Sequence, residues 1–340
     1  MIRTGVIGYG LGGMAFHAPL IEAVPELELA AIATSRADAV RERYPAAQVT
    51  DAAALIADPN IRLVAISTPN DSHFPLAKAA LEAGKHVVID KPFTNSVAEG
   101  EALAALADAR GLILAAFHNR RWDGDFLTVR KLIASDRIGE VTLAELRWDR
   151  YRPEVTTAWR DTPGVGAGML ADLGPHLIDQ ALVLFGAPEA VSADIAVQRA
   201  GARTDDYFEL TLHYGVRRVL LSASRLIASP RPRFALHGRL GGFVKYGLDP
   251  QEPMMKAGGS ANDPGFGVED PANHGTLVLA DGTRETVMSE RGDYRLFYSG
   301  MAQAITEGGA PPVSAGDAIL GLRLMELARR SSDEGRRIAL

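Results

Sequence analysis

The strongest constraint on this chain is a run of glycines close to its start. Val6-Ile7-Gly8-Tyr9-Gly10-Leu11-Gly12-Gly13 closes an apolar run (Gly5-Val6-Ile7) and leads into Met14 to Val24, which can be helical. A buried strand, a turn too tight for side chains and a helix start, in that order, are what a dinucleotide pyrophosphate needs. Gly8 permits the turn, Gly10 lets the backbone approach phosphate, and Gly13 lets the helix lie close on the strand. The amides at the helix start, reached through Leu11 and Gly12, supply the anion site. Glycine runs also punctuate ordinary loops, so the flanking elements carry the argument as much as the glycines do.

Further strand–helix units follow. Leu27 to Thr34 reads as a second buried strand, and the residues just beyond it select the cofactor. An acid there would bond the ribose 2′-hydroxyl of NAD and repel a 2′-phosphate. The chain has Thr34-Ser35-Arg36 instead. Ser35 can donate a hydrogen bond and Arg36 can pair with a phosphate, which favours NADP over NAD. The plainer alternative is that Ser35 caps the next helix and Arg36 is solvated. Leu63 to Ser67 is a third strong strand, ending in Thr68-Pro69-Asn70-Asp71-Ser72-His73, and Phe74 to Ala83 is helical. In a parallel sheet the ligand crevice lies at the carboxyl ends of the strands, which puts Thr68, Pro69 and Asn70 on the cofactor wall. His73 belongs either with them or on the surface of the helix.

The strand His86 to Ile89 ends in Asp90-Lys91-Pro92. A lysine at that end faces the crevice, and near a nicotinamide its ammonium would stabilise an alkoxide on a substrate oxygen. A helix from Ser96 to Ala109 and a strand from Leu112 to Phe117 complete a dinucleotide-binding domain over residues 1–120.

From Trp122 the pattern changes. After a helix from Phe126 to Ala134 comes a long alternating strand at Val141–Arg150; beyond Phe185, strand-like runs at Ala187–Gln198, Tyr207–Tyr214, Arg217–Ser224, Arg233–His237 and Gly242–Tyr246 follow one another through short turns. They predict an antiparallel sheet in a second domain over residues 121–340. Residues 249–273, rich in Pro, Gly, Asn and Asp, read as a long irregular loop. Met169–Phe185 reads as a helix that brings Asp172 and His176, one four-residue step apart, to one face. Histidine suits proton transfer from an alcohol near neutral pH, and Asp172 can hold a substrate hydroxyl or orient the imidazole. A capping Asp and a core His are the bland alternative. Pro175 between them suggests that the helix begins close by.

These residues resemble the Gfo/Idh/MocA oxidoreductases. The resemblance rests on Gly8-x-Gly10-x-x-Gly13, Thr68-Pro69-Asn70, Ala83-Gly84-Lys85-His86-Val87, and Asp90-Lys91-Pro92, where the family usually reads Glu-Lys-Pro. It continues through His118-Asn119-Arg120-Arg121 and Asp172-Leu173-Gly174-Pro175-His176, and so covers essentially the whole chain. Phe16-His17-Ala18-Pro19, Asn119 to Asp123, Tyr151 to Val155 and Lys245 to Asp249 look closest to the NADP-using scyllo-inositol 2-dehydrogenase branch. The resemblance implies an α/β fold with an N-terminal Rossmann domain, parallel and doubly wound. It also implies a C-terminal α+β domain whose open, mainly antiparallel sheet forms a homodimer or homotetramer.

It implies Lys91, Asp172 and His176 as the catalytic set and a cyclic polyol or sugar as the substrate. His176 would take the hydroxyl proton and Lys91 would stabilise the oxyanion, or the two would share the proton. Asn119, Arg121, Arg160 and Tyr246 are further candidates for substrate contacts. Their bland alternatives are a solvated domain junction for the first pair and an interdomain pin at Trp159-Arg160. Relatives also include glycosidases that use transient nicotinamide oxidation and non-enzymatic regulators. The joint presence of Lys91 and His176 argues against a regulator.

Composition narrows the field. The 340 residues include no cysteine, which excludes thiolate nucleophiles, disulfides and cysteine-ligated metals. The eight histidines show no metal-ligand spacing, so no metal is expected. A net charge of −6 gives no reason to expect nucleic acid or an anionic membrane as a partner. No apolar run reaches the roughly 20 residues that span a bilayer, and the N-terminus enters a core strand at once. A cytoplasmic protein is expected.

Overall fold

Short apolar runs bounded by turns become buried strands where helices cover both faces of a sheet. Six do so here: β1 (Ile2–Ile7), β2 (Leu27–Ala33), β3 (Gln48–Thr50), β4 (Leu63–Ile66), β5 (His86–Ile89) and β6 (Leu114–Ala116). They pair in parallel in the order β3-β2-β1-β4-β5-β6, the doubly wound arrangement expected. The order reverses between β1 and β4, so their carboxyl ends, Gly8 and Ser67, flank the crevice where such sheets take ligands.

This computed structural model describes residues 1–156, 161–164 and 166–340. The chain divides into two units. The first holds Met1–Trp122, Gln251–Phe266 and Asp293–Ile319, so later parts of the chain join the segment that composition marks as the nucleotide domain. Residues 249–273 are not one irregular loop. Gln251–Lys256 is a helix, and the Gln251 side chain donates to the Trp122 carbonyl (3.0 Å) and accepts from the Tyr294 amide (2.7 Å). Arg120 adds bonds to the Tyr294 hydroxyl (2.9 Å) and to Glu252. Polar anchors of this kind leave no hydrophobic period, so composition alone reads the segment as loop.

The second unit holds Asp123–Pro250, Gly267–Gly292 and Leu320–Leu340. Its strands are β7 (Val141–Arg147), β8 (Ala190–Ala196), β9 (Tyr207–Tyr214), β10 (Arg217–Ser224), β11 (Phe234–Gly238), β12 (Gly241–Lys245), β13 (Gly275–Leu279), β14 (Arg284–Val287) and β15 (Ile338–Ala339). They form one sheet in the order β14-β13-β12-β11-β7-β10-β9-β8-β15. Every pairing is antiparallel except β7 with β10. One face packs on the helix Met169–Phe185, burying Leu170, Leu173, Leu177 and Ile178 with Leu146, Phe208, Leu210, Leu221 and Phe234. β8 is shorter than the expected run from Ala187 to Gln198.

The helix Met169–Phe185 has the bounds read from the sequence, and it runs through Pro175 rather than beginning beside it. Its start is held from outside, because the Asp205 carbonyl accepts from the Met169 amide (2.8 Å) and the Asp205 carboxylate from the Leu170 amide (2.7 Å). Gly168 precedes it with φ +93°, and a Cβ there would stand 2.2 Å from Asp205 Oδ1. The first helix of the chain starts at Leu11 rather than Met14 and contains a widened π turn at Gly13–His17. The Ala18 amide reaches back to the Gly13 carbonyl across this turn. Pro19, next in sequence, has no amide proton to continue the regular ladder and crowds the preceding turn. The wider turn accommodates it and directs His17 into the core.

Candidate active site

The glycine loop joins β1 to that first helix, and each glycine has its own environment. Gly8 has φ +100°, and a Cβ there would stand 2.2 Å from the Ser67 carbonyl oxygen. At Gly13 a Cβ would stand 2.0 Å from the Gly8 carbonyl oxygen. Around Gly10 nothing lies within 4 Å of the corresponding point. The loop is therefore closed against β4 and its own helix, but open at Gly10, where a ligand can approach bare backbone. This fits a dinucleotide pyrophosphate. Leu11, 48% exposed, lies beside that opening.

After β2, Ser35 and Arg36 are both exposed. Arg36 occupies the cap position of the helix Ala37–Arg43 with no side-chain capping bond, and its amide donates to Thr34 Oγ1 (3.0 Å). Ser35 is thus not the cap of that helix, and both side chains stand at the strand end where a ribose 2′ substituent is read.

The turn after β4 is tied internally. Ser72 Oγ bonds to Thr68 Oγ1 (2.7 Å) and to the Pro69 carbonyl (2.6 Å), and the Asn70 carbonyl accepts from Asn95 Nδ2 (3.2 Å). His73 is fully buried, so it is not a surface helix residue. Its Nε2 lies 2.9 Å from the Thr68 carbonyl and its Nδ1 lies 2.8 Å from the Pro92 carbonyl. The ring joins the turn after β4 to the turn after β5, and both nitrogens face main-chain oxygens rather than the crevice.

Asp90 and Lys91 follow β5. Asp90 Oδ1 accepts from the Lys91 amide (2.8 Å) and Oδ2 accepts from Ser67 Oγ (3.0 Å). His17 Nε2 faces Oδ2 at 3.6 Å. His17 Nδ1 is 2.6 Å from the Tyr298 hydroxyl, and its ring centre lies 4.3 Å from that of Phe117, the two planes tilted by 42°. Burial pushes the Asp90 carboxyl up, but the facing His17, the Lys91 amide and the nearby His73 outweigh it and hold the group below its usual range. Burial, with Asp90 nearby, raises the Tyr298 phenol well above its ordinary value, so it stays neutral. Lys91 is half-buried at the strand's carboxyl end.

Asn119 is buried after β6. Arg121 gives its guanidinium to Asp317 (3.0 Å) and to the Pro312 carbonyl (3.3 Å). In the second unit Asp172 and His176 are both buried, on successive turns of the helix Met169–Phe185. The His176 ring lies 6.1 Å from that of Trp148, and the Arg233 guanidinium lies 4.8 Å from the Trp148 ring. Tyr246 is 48% exposed, while its neighbour Lys245 is buried against Glu269 (2.7 Å). Arg160 and Trp159 lie outside the described residues. Among the described residues no three His, Asp or Glu side chains come together as a metal set, and no helix is long and apolar enough to cross a membrane.

Sequence reasoning missed Ser67, Asp205 and Tyr298 altogether, and it treated His17 only as part of a motif. The one signal for His17 was Pro19 two residues on, which forbids a regular turn there.

Comparison with known proteins agrees with this geometry. Residues 2–118 match the NAD-binding Rossmann fold of the Gfo/Idh/MocA oxidoreductase family, and residues 130–340 match that family's C-terminal alpha/beta domain. The chain is 41% identical to the scyllo-inositol 2-dehydrogenase (NADP+) of Bacillus subtilis, over all of this chain and 96% of that one. It is 45% identical to an oxidoreductase of Escherichia coli K12 over 97% of this chain and 96% of that one. A solved oxidoreductase structure from Bacillus subtilis superposes with a TM-score of 0.97 at 41% identity, over all of this chain and 98% of that one. One from Yersinia pestis gives 0.96 at 42%, over all of this chain and 97% of that one. The chain belongs to the Gfo/Idh/MocA oxidoreductase family.

Proposed function

We propose that the protein is an NADP(H)-dependent dehydrogenase acting on a secondary hydroxyl of a cyclic polyol or sugar, with scyllo-inositol and its 2-keto form the leading substrate pair. The observation that carries this reading is the 41% identity, end to end, to a relative named for that activity and that cofactor. The exposed Ser35-Arg36 pair at the end of β2, with no acid in its place, supports the choice of NADP.

When bound, the dinucleotide supplies the hydride acceptor. The chain's own residues do the rest. The loop Gly8–Gly13 admits the pyrophosphate at its open point, Gly10, and Ser35 and Arg36 take the 2′-phosphate. Thr68, Pro69 and Asn70 wall the site. The Lys91 ammonium stabilises negative charge on the substrate oxygen, and the His176 imidazole accepts the hydroxyl proton. Asp172 holds a neighbouring hydroxyl. The open face of the second unit's sheet carries half-exposed Leu143, Leu220, Val244 and Val278, and we assign it to self-association into a dimer or tetramer.

The test is a panel of polyols and sugars with NADP and NAD, followed at the absorbance of the reduced cofactor. Turnover of an inositol with NADP supports the reading. No reduction of either coenzyme by any member of the panel overturns it.

A further inference from the structure

Lys91 is held from behind by a polar chain that its proposed chemistry does not explain. Asp90 accepts from the Ser67 hydroxyl and the Lys91 amide, and the ring of His17 faces it at 3.6 Å, beyond hydrogen-bond length. His17 is fully buried on the π turn, with Phe117 against its face and Tyr298 at its other nitrogen. With the phenol donating to Nδ1, the ring proton sits on Nε2, facing Asp90. Gly12 completes the arrangement, since a Cβ there would stand 2.5 Å from Asp90 Oδ2 and 2.3 Å from Ser67 Oγ.

A buried imidazole beside a part-buried carboxylate is costly if it only fills space. A phenylalanine would occupy the same hole against Phe117 without desolvating a polar ring. Widened turns of this kind also recur at functional sites. We propose that His17 is a positioning residue for Lys91: its Nε2 edge, 3.6 Å from Asp90 Oδ2, braces the carboxylate electrostatically, and Asp90 fixes the Lys91 backbone at the carboxyl end of β5. The inference rests on the reading of Lys91 as the group at the substrate oxygen. It adds that the helix carrying the glycine loop and the turn carrying the lysine are braced against each other through one chain of polar contacts. The groups facing this chain are Ser67 and His73 from the β4 turn and helix, Tyr298 from the helix Arg295–Glu307, and Lys91 itself.

Two variants separate positioning from packing. His17→Phe keeps the ring and loses both nitrogens, whereas His17→Gln keeps an N–H donor and loses the ring. Positioning predicts that kcat/KM falls about tenfold or more in His17→Phe and stays within about threefold of wild type in His17→Gln, with NADPH dissociation constants within about threefold for both. A filler role predicts the reverse order, and that order, or two variants equal to wild type, overturns the proposal.

A second arm needs no turnover. Nitrogen-15 NMR of the histidine rings reads which nitrogen of His17 carries the proton. The proton is expected on Nε2, and finding it on Nδ1 sinks the inference whether or not the chain is a dehydrogenase. If the substrate panel is silent while the proton is on Nε2, the functional reading has failed and the His17–Asp90 contact has not.

Discussion

Gly12 lies directly against Asp90: a Cβ at residue 12 would stand 2.5 Å from Asp90 Oδ2, although the glycine's own backbone is ordinary helix at φ −62°. The constraint on this glycine comes from its neighbours rather than from its dihedrals. Gly12→Ala is expected to destabilise the fold by about 1–3 kcal/mol despite the better helix propensity of alanine. Adding Ser67→Ala, which removes the atom 2.3 Å away, should restore part of that loss. Urea denaturation of the two variants checks the pair, and a single variant as stable as wild type would contradict the packing argument.

Gly10 makes the opposite case. It has open space where its neighbours are crowded. Gly10→Ala should leave the melting temperature near that of wild type and weaken NADPH binding about tenfold or more, because the added methyl stands where the pyrophosphate must approach. Fluorescence titration with NADPH and a thermal melt read the two effects separately.

Arg36 is exposed and forms no cap, so replacing it should cost little stability. Arg36→Ala is expected to lower the ratio of kcat/KM for NADP over NAD about tenfold, through loss of a charge-assisted pair with the 2′-phosphate. An unchanged ratio would remove Arg36 from the account of coenzyme choice.

For the proposed chemistry, Lys91→Met should reduce kcat about a hundredfold or more while NADPH still binds. His176→Asn should reduce kcat about a hundredfold at neutral pH. Steady-state kinetics beside NADPH titration distinguishes these losses from a damaged cofactor site.

A pH effect is expected from the second unit. Asp161 and Asp206 both pair with the buried Arg199, at 2.6 and 2.8 Å. Burial alone would raise the Asp161 carboxyl, but bonds from Arg199 and from the Thr156 hydroxyl and amide hold it at about 2. The folded carboxyl therefore binds its proton more weakly than the unfolded one. Its contribution to stability is complete above about pH 4 and fades as the pH falls towards 2. Asp161→Asn should cost about 1–3 kcal/mol at neutral pH, and that difference should shrink near pH 3. Denaturant melts at the two pH values decide it.

Most of the first unit was legible because its signals are local. An apolar run, a glycine turn and a helix repeat in order, and the lysine after β5 needs only the strand's end to be placed. Met169–Phe185 was equally plain, since its apolar residues recur on every turn. What escaped was non-local. Nothing near His73 in sequence shows that its ring bridges Thr68 and Pro92, and nothing near Gln251 shows that it bonds Trp122 and Tyr294. The bond that holds the start of Met169–Phe185, from the Leu170 amide to Asp205, was hidden too, because the partner lies far along the chain.

The π turn at Gly13–His17 sets the phase of everything after it. An α-helix advances about 100° per residue, so removing the one extra residue would swing His17 away from Asp90 and carry the rest of the helix with it. Anyone grafting this cofactor loop onto another scaffold would therefore need residues 13–19 as well as the glycines, or the transplanted strand end would arrive without its brace.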